Sequence, residues 1–67
     1  MPAQLNDFQE ELLKYLFNRK TAATVNQIAK YFTRSESYVM RSLRVLDEQQ
    51  LITVIQAGKT KFYAYKD

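Results

Sequence analysis

The sequence TVNQIAKYFTRSESYVMRSLRVL, residues 24–46, predicts two helices with a short break between them. Thr24 is a residue type that caps helix N-termini well, and Gln27 lies three residues further on, at the spacing of a capping box. Because the apolar residues that follow recur every three or four positions, we expect a helix over about residues 24–32. Its apolar face comprises Val25, Ile28, Ala29 and Phe32.

The segment Thr33–Ser35 interrupts this periodicity and precedes a longer helix. Ser35 is a suitable N-cap, and the helical pattern continues over about residues 35–50. The buried side of this third helix is predicted to comprise Val39, Leu43 and Leu46. The opposite face, at about 100° per residue, carries Ser37, Arg41 and Arg44, with Tyr38 at its flank.

A further helix is predicted before this pair, over about residues 6–19. Asn6 is a favourable N-cap, and Gln9 again has the spacing of a capping box. The face directed to the core is predicted to comprise Phe8, Leu12, Tyr15 and Leu16. Leu13 and Phe17 lie beside that face as an i, i+4 pair. Two interpretations are open: a small domain wraps this wide stripe into its core, or Leu13 and Phe17 contact a partner chain.

The C-terminal residues change from a helical to a strand-like pattern. Leu51–Ile55 is rich in β-branched residues, and Lys61–Tyr65 is rich in aromatic ones, so both segments are predicted strands. Residues 56–60 between them include Gly58, which suits a turn that needs positive φ. We therefore expect a β-hairpin with a basic tip over residues 51–65.

The composition fits one globular domain, because 67 residues are too few for two. The absence of Cys and His excludes disulfides, thiolate chemistry and His-based zinc or acid–base sites. A single Gly excludes glycine-rich phosphate loops. We therefore expect no enzyme activity, no metal and no cofactor. No apolar run is long enough to span a membrane and no secretion signal is recognisable, so we expect a cytoplasmic protein.

The net charge of +3 is concentrated in two segments. Residues 34–46 carry three Arg against one Glu, a net charge of +2. Residues 51–67 carry three Lys against one Asp, which is again +2, whereas Asp47 and Glu48 between the segments are acidic. The basic segments coincide with the third helix and the hairpin, and such clustering is typical of nucleic-acid-binding surfaces.

The order helix, helix, three-residue turn, helix and hairpin resembles the winged helix-turn-helix of bacterial transcription regulators. In that family a Thr-capped helix with Ile-Ala near its centre precedes the pattern Ser-x-Ser/Thr-x-Val-x-Arg-x-Leu-x-x-Leu, which residues 35–46 match. The pair Leu51-Ile52 and the Gly-Lys tip before Phe62-Tyr63 also fit. The resemblance covers about residues 6–65. The core of the chain is similar to the MarR and ArsR groups, and its size is similar to that of minimal fimbrial-operon, phage and plasmid regulators.

The resemblance implies an α+β, mainly α, winged helix-turn-helix domain over residues 1–67, with three helices followed by a two-stranded wing. One departure lies at Gln49-Gln50, where the family usually has a Gly that ends the third helix in the left-handed conformation. A Gln in that conformation costs about 1 kcal/mol or more relative to Gly. Dimeric members carry helices outside the wing that have no counterpart here, so dimerisation stays open.

These observations predict a small transcription regulator that binds double-stranded DNA. An α-helix fits the major groove, where base edges are recognised, and the wing would contact the flanking backbone. The candidate DNA-binding residues comprise donors around the start of the third helix, arginines on its outer face and lysines of the wing. They are Arg34, Ser35, Ser37, Tyr38, Arg41, Arg44, Lys59 and Lys61.

A second hypothesis is a protein-interaction module that docks on a larger complex through Leu13 and Phe17 of the first helix. Under the first hypothesis the partners are DNA and either a second copy of the chain or another protein, with no small-molecule ligand. The bound protein is then expected at the nucleoid. Glu36 lies close to an expected phosphate, and it is predicted either to accept from a cytosine amino group or to satisfy the helix N-terminus.

Overall fold

Three helices followed by an antiparallel hairpin make up the fold. The structure is a computed structural model, and it describes residues 4–66. This order confirms the predicted α+β, mainly α, winged helix-turn-helix. The elements are α1 (Asp7–Asn18), α2 (Val25–Phe32), α3 (Glu36–Glu48), β1 (Ile52–Ala57) and β2 (Thr60–Tyr65). Within residues 4–66 no helix has the length and apolar character needed to cross a membrane.

Each helix begins at the N-cap that the sequence predicts. The Asn6 side chain accepts from the backbone N–H of Gln9 at 2.8 Å, and the Gln9 side chain accepts from the Asn6 N–H at 3.0 Å. Thr24 and Gln27 form the same reciprocal pair at the start of α2. The Ser35 hydroxyl oxygen accepts a backbone N–H in the first turn of α3 at 3.2 Å. These caps satisfy N–H groups that have no partner within a helix.

The end of α3 differs from the expectation, since the helix stops at Glu48 and does not continue to residue 50. The backbone N–H of Leu51 donates to the Leu46 carbonyl at 3.0 Å, and that of Gln50 donates to the Asp47 carbonyl at 2.9 Å. This pair of bonds is the Schellman motif, which requires a left-handed residue after the helix. Gln50 is that residue, with φ 60°, although Gly is better suited to it.

The turn between α2 and α3 also contains a left-handed residue. Thr33 has φ 56° and ψ 50°, which is unusual for a β-branched side chain. The backbone N–H of Arg34 donates to the Ala29 carbonyl at 3.0 Å, which closes the end of α2. The reversal at Thr33 lets three residues, Thr33–Ser35, connect the two helices.

The hairpin turn is tighter than the sequence predicts. The last paired residues of the strands are Ala57 and Thr60, so the turn comprises Gly58 and Lys59 alone and not residues 56–60. Gly58 has φ 64° at the first central position, as type II′ turns require. Both strands are correspondingly longer than expected.

The segment between α1 and α2 takes part in the sheet, although the sequence predicts only a connection there. Ala23 and Tyr63 exchange two backbone hydrogen bonds, of 2.9 and 2.8 Å, in an antiparallel bridge. Ala23 is fully buried. The bridge joins β2 to the helical part of the chain and thereby positions the wing.

The hydrophobic core lies where the three helices meet the base of the wing. Its buried members come from every element except β2, and they are Leu12, Leu16, Ala23, Ile28, Ala29, Val39, Leu43, Leu46 and Ile52. Leu13 is partly buried against this core, which supports the first interpretation of the α1 stripe for that residue. Phe17 is 63% exposed, and its ring contacts Tyr65 edge-to-face with a centroid distance of 4.8 Å.

Candidate nucleic-acid interface

A groove runs between the outer face of α3 and the wing. Four of the predicted DNA-binding residues line it: Ser37, Arg41, Arg44 and Lys61. The other lining residues are Met40, Leu43, Asp47, Val54 and Tyr63. Three cationic side chains against one carboxylate give the groove a positive potential, which attracts polyanions.

The α3 side of the groove follows from the helical periodicity. Arg41 and Arg44 are exposed, whereas Leu43 between them is 1% exposed and belongs to the core. Ser37 lies one helical turn before Arg41, on the same face. Because the apolar side of α3 is buried in the core, its basic face is directed outward.

The wing side of the groove follows from strand alternation. Val54 pairs with Tyr63, so their side chains lie on the same face of the hairpin. Lys61 is two residues from Tyr63 and shares that face. Since this face is turned to α3, Lys61 lies across the groove from the arginines.

Lys59 has a different position, at the tip of the wing. The Gln56 side-chain amide donates to the Gly58 carbonyl at 2.8 Å, which braces the turn that carries Lys59. Lys59 is exposed and does not line the groove. A ligand that extends beyond the groove along the wing would meet its ammonium.

The remaining predicted residues form a separate cluster at the N-terminal end of α3. The guanidinium carbon of Arg34 lies 5.4 Å from the centroid of the Tyr38 ring and 5.7 Å from that of Phe8. The centroids of these two rings are 4.8 Å apart. The guanidinium lies over both rings as a cation–π contact, and its five N–H donors can serve an acceptor. Tyr38 is thus half-buried and supports Arg34, which the sequence did not indicate.

Ser35 already serves as the N-cap of α3, so its oxygen accepts a backbone hydrogen bond. Its O–H can still donate to a ligand. Glu36 lies in the first turn of α3, where a negative charge suits the helix dipole. Its carboxylate also accepts from the Asn26 side-chain amide at 3.0 Å, and this bond ties α2 to α3.

The surroundings of Tyr63 in the groove change the acidity of its phenol. Burial raises the pKa of the Tyr63 phenol above its ordinary value, and the negative charge of Asp47 raises it further. Both effects disfavour the phenolate. The phenol therefore keeps its proton to a higher pH than an exposed tyrosine does.

The apolar lining of the groove was not predicted from the sequence. Met40 is 53% exposed, and Val54 is also exposed. Met40 lies three residues after Ser37 and four before Arg44, so helical spacing places it within the basic face. That spacing was a usable signal for Met40, whereas Val54 joins the groove only through the position of the wing.

Leu13 and Phe17, the predicted partner-contact residues, differ in their surroundings. Phe17 lines a shallow depression together with Arg19 and Tyr65, at the end of α1 and remote in sequence from α3. Leu13 does not line this depression and packs against the core. Of the two residues, Phe17 is therefore the exposed one and Leu13 is half-buried.

Comparison with known proteins supports the fold. The chain is similar to the crystal structure of a possible transcriptional regulator for arsenical resistance, with a TM-score of 0.77 and 30% sequence identity. The match covers 90% of this chain, which spans 62% of the length of that regulator. It confirms the winged helix-turn-helix and the resemblance to an ArsR-like core. No protein-family model matches the sequence, and no curated protein is significantly similar to it.

Proposed function

We propose that this chain is a DNA-binding transcription regulator that inserts α3 into the major groove of double-stranded DNA. The observation that carries the proposal is the groove in which Ser37, Arg41, Arg44 and Lys61 come together from α3 and the wing. The similarity to a possible transcriptional regulator supports the same function.

The dimensions of α3 suit this role. Its 13 residues give a length of about 20 Å. A major groove about 12 Å wide accepts one helix of this kind. Arg41 and Arg44 project from its outer face, where a guanidinium can donate two hydrogen bonds to a guanine edge or to a phosphate.

The other predicted residues have roles around this central contact. Arg34, which lies over two rings, and the Ser35 hydroxyl face a phosphate at the N-terminal end of α3. Lys61 in the groove and Lys59 at the wing tip neutralise phosphates of the flanking backbone. Tyr38 acts through Arg34 in this arrangement.

Recognition of a specific operator needs more surface than one such domain buries. We infer that two copies on neighbouring half-sites, or one copy with a partner protein, provide it. A regulator of this kind acts as a binding protein without catalysis. Cytoplasmic localisation, with nucleoid association in the bound state, follows from the proposal.

The test is fluorescence anisotropy of a labelled mixed-sequence duplex, titrated at salt concentrations from low to physiological. With about five phosphate contacts, log K should fall against log salt with a slope of about −4 to −5. The Arg41→Glu/Arg44→Glu variant should lose this binding while circular dichroism shows it folded.

A matched control is Lys14→Glu/Lys20→Glu, because it changes the net charge equally at exposed positions outside the groove. We expect the control to keep most of the affinity and the salt slope. If both double variants weaken binding to the same extent, net charge and not α3 is responsible, and the assignment of α3 is wrong.

The alternative function, docking on a larger protein complex, is favoured by the exposure of Phe17 alone. Its variant is Phe17→Glu, because Leu13→Glu would place a charge against the core. A wild-type chain that binds no DNA even at low salt, together with a partner whose binding is lost in Phe17→Glu, would make this alternative the better one.

A further inference from the structure

Met40 is an apolar side chain in a place where a solvated helix face would carry a polar one. It is 53% exposed and lines the groove beside Arg41 and Arg44. By contrast, the exposed ring of Phe17 packs on the ring of Tyr65. The exposed side chain of Met40 is available to a ligand bound in the groove.

The surroundings of Met40 define the chemistry of the ligand. Arg41, Arg44 and Lys61 supply positive charge around it, and Val54 adds a second apolar surface from the wing. A ligand that matches this surface carries many negative charges and presents an apolar group between them. Duplex DNA does so in its major groove, where the one apolar group on the base edges is the 5-methyl of thymine.

We propose that Met40 is a specificity-determining residue that packs against the 5-methyl group of a thymine. The inference rests on the proposed function and extends it, since it specifies the base that one position of the site must contain. The unbranched thioether of Met adapts its shape to such a contact. The thymine lies next to the bases or phosphates that Arg41 and Arg44 contact, because all three side chains line the same groove.

The first experiment selects bound duplexes from a pool with a randomised centre, using the wild-type chain, Met40→Ala and Ile55→Ala. Ile55 is a matched control, because it is 46% exposed, lies on the other face of the hairpin from Val54 and is not in the groove. Met40→Ala should fold normally, since Met40 is exposed and Ala favours helix. We expect wild type and Ile55→Ala to select the same site, and Met40→Ala to lose the preference for thymine at one position.

The second experiment removes only the methyl group. Each thymine of the selected duplex is replaced in turn by deoxyuridine, and the Kd is measured for the three proteins. Burial of one methyl-sized group corresponds to about a fourfold change in Kd. Wild type and Ile55→Ala should lose about fourfold at one thymine, and Met40→Ala should show no loss there.

Three outcomes overturn the inference, and they are distinguishable. If no deoxyuridine substitution weakens wild type, or if Met40→Ala loses the same factor, DNA binding stands and Met40 does not recognise the methyl. If the wild-type chain enriches no duplex and shows no salt-dependent binding, the proposed function fails, and the inference fails with it.

Discussion

Replacing Gln50 by glycine should stabilise the fold, because Gln50 occupies a left-handed position after α3. Its φ is 60°, and its N–H closes the Schellman motif by donating to the Asp47 carbonyl. The side chain of Gln50 is exposed, so its removal costs little packing. Gln50→Gly therefore changes mainly the backbone preference of this position.

The expected magnitude follows from two opposing terms. An L-residue in the left-handed region costs about 1–2 kcal/mol, and Gly avoids this cost. Gly also loses about 0.5–1 kcal/mol more backbone entropy on folding than other residues do. The net gain in the free energy of unfolding is therefore about 0.5–1 kcal/mol. For a domain of this size the melting temperature should rise by about 2–8 °C.

The assay is urea unfolding followed by circular dichroism, in which the midpoint should rise while the m-value stays constant. Gln50→Ala removes the same side chain and keeps the left-handed penalty, so it should not be stabilising. Gly58→Ala places an L-residue at another positive φ, 64°, where an added Cβ meets no atom within 4 Å. It should destabilise by about 1 kcal/mol. If Gln50→Gly is no more stable than Gln50→Ala, the reasoning about the left-handed penalty is refuted.

Three further predictions concern the core, the Arg34 cluster and the groove. Leu46→Ala, at a fully buried position, should destabilise by about 2–5 kcal/mol in urea unfolding, and a loss under 1 kcal/mol would contradict the assigned core. Arg34→Lys keeps the charge but replaces the fork of guanidinium donors held over Phe8 by a flexible ammonium. The Kd for DNA should therefore rise about two- to fivefold in anisotropy titrations, whereas an unchanged Kd would show that the guanidinium is not needed there. Burial and Asp47 raise the pKa of folded Tyr63, so its contribution to stability is complete below its ordinary pKa of about 10 and is lost as the pH rises through the folded pKa. Urea unfolding between neutral and strongly alkaline pH should therefore show a decline that is smaller in Tyr63→Phe, and identical declines would contradict this assignment.

Much of the local structure was predictable, because its determinants lie within a few residues of each other. Asn6 with Gln9, and Thr24 with Gln27, are capping pairs whose members are three residues apart. The family resemblance pointed to a left-handed helix end near Gln49-Gln50, whereas the periodicity placed the end of α3 at about residue 50, which is too late. Gln50 carries no local signal for that conformation, since Gly is the residue type that normally marks it.

Other features required pairing between distant residues and were missed for that reason. Ala23 lies in a segment without periodicity, and only its hydrogen bonds to Tyr63 make it part of the sheet. The hairpin turn was predicted over residues 56–60 because those residue types suit a turn. The register of the two strands shortened it to Gly58 and Lys59.

The candidate site likewise has a part that the sequence predicted and a part that only the tertiary structure shows. Helical periodicity alone placed Ser37, Arg41 and Arg44 on one face of α3, because side-chain direction in a helix depends only on position along the chain. Tertiary packing placed Lys61 and Val54 opposite them, since the bridge at Ala23 and the burial of Ile52 hold the wing beside α3. The sequence thus determined which side chains each element presents, and the packing of segments far apart in the chain decided which of those side chains share a groove.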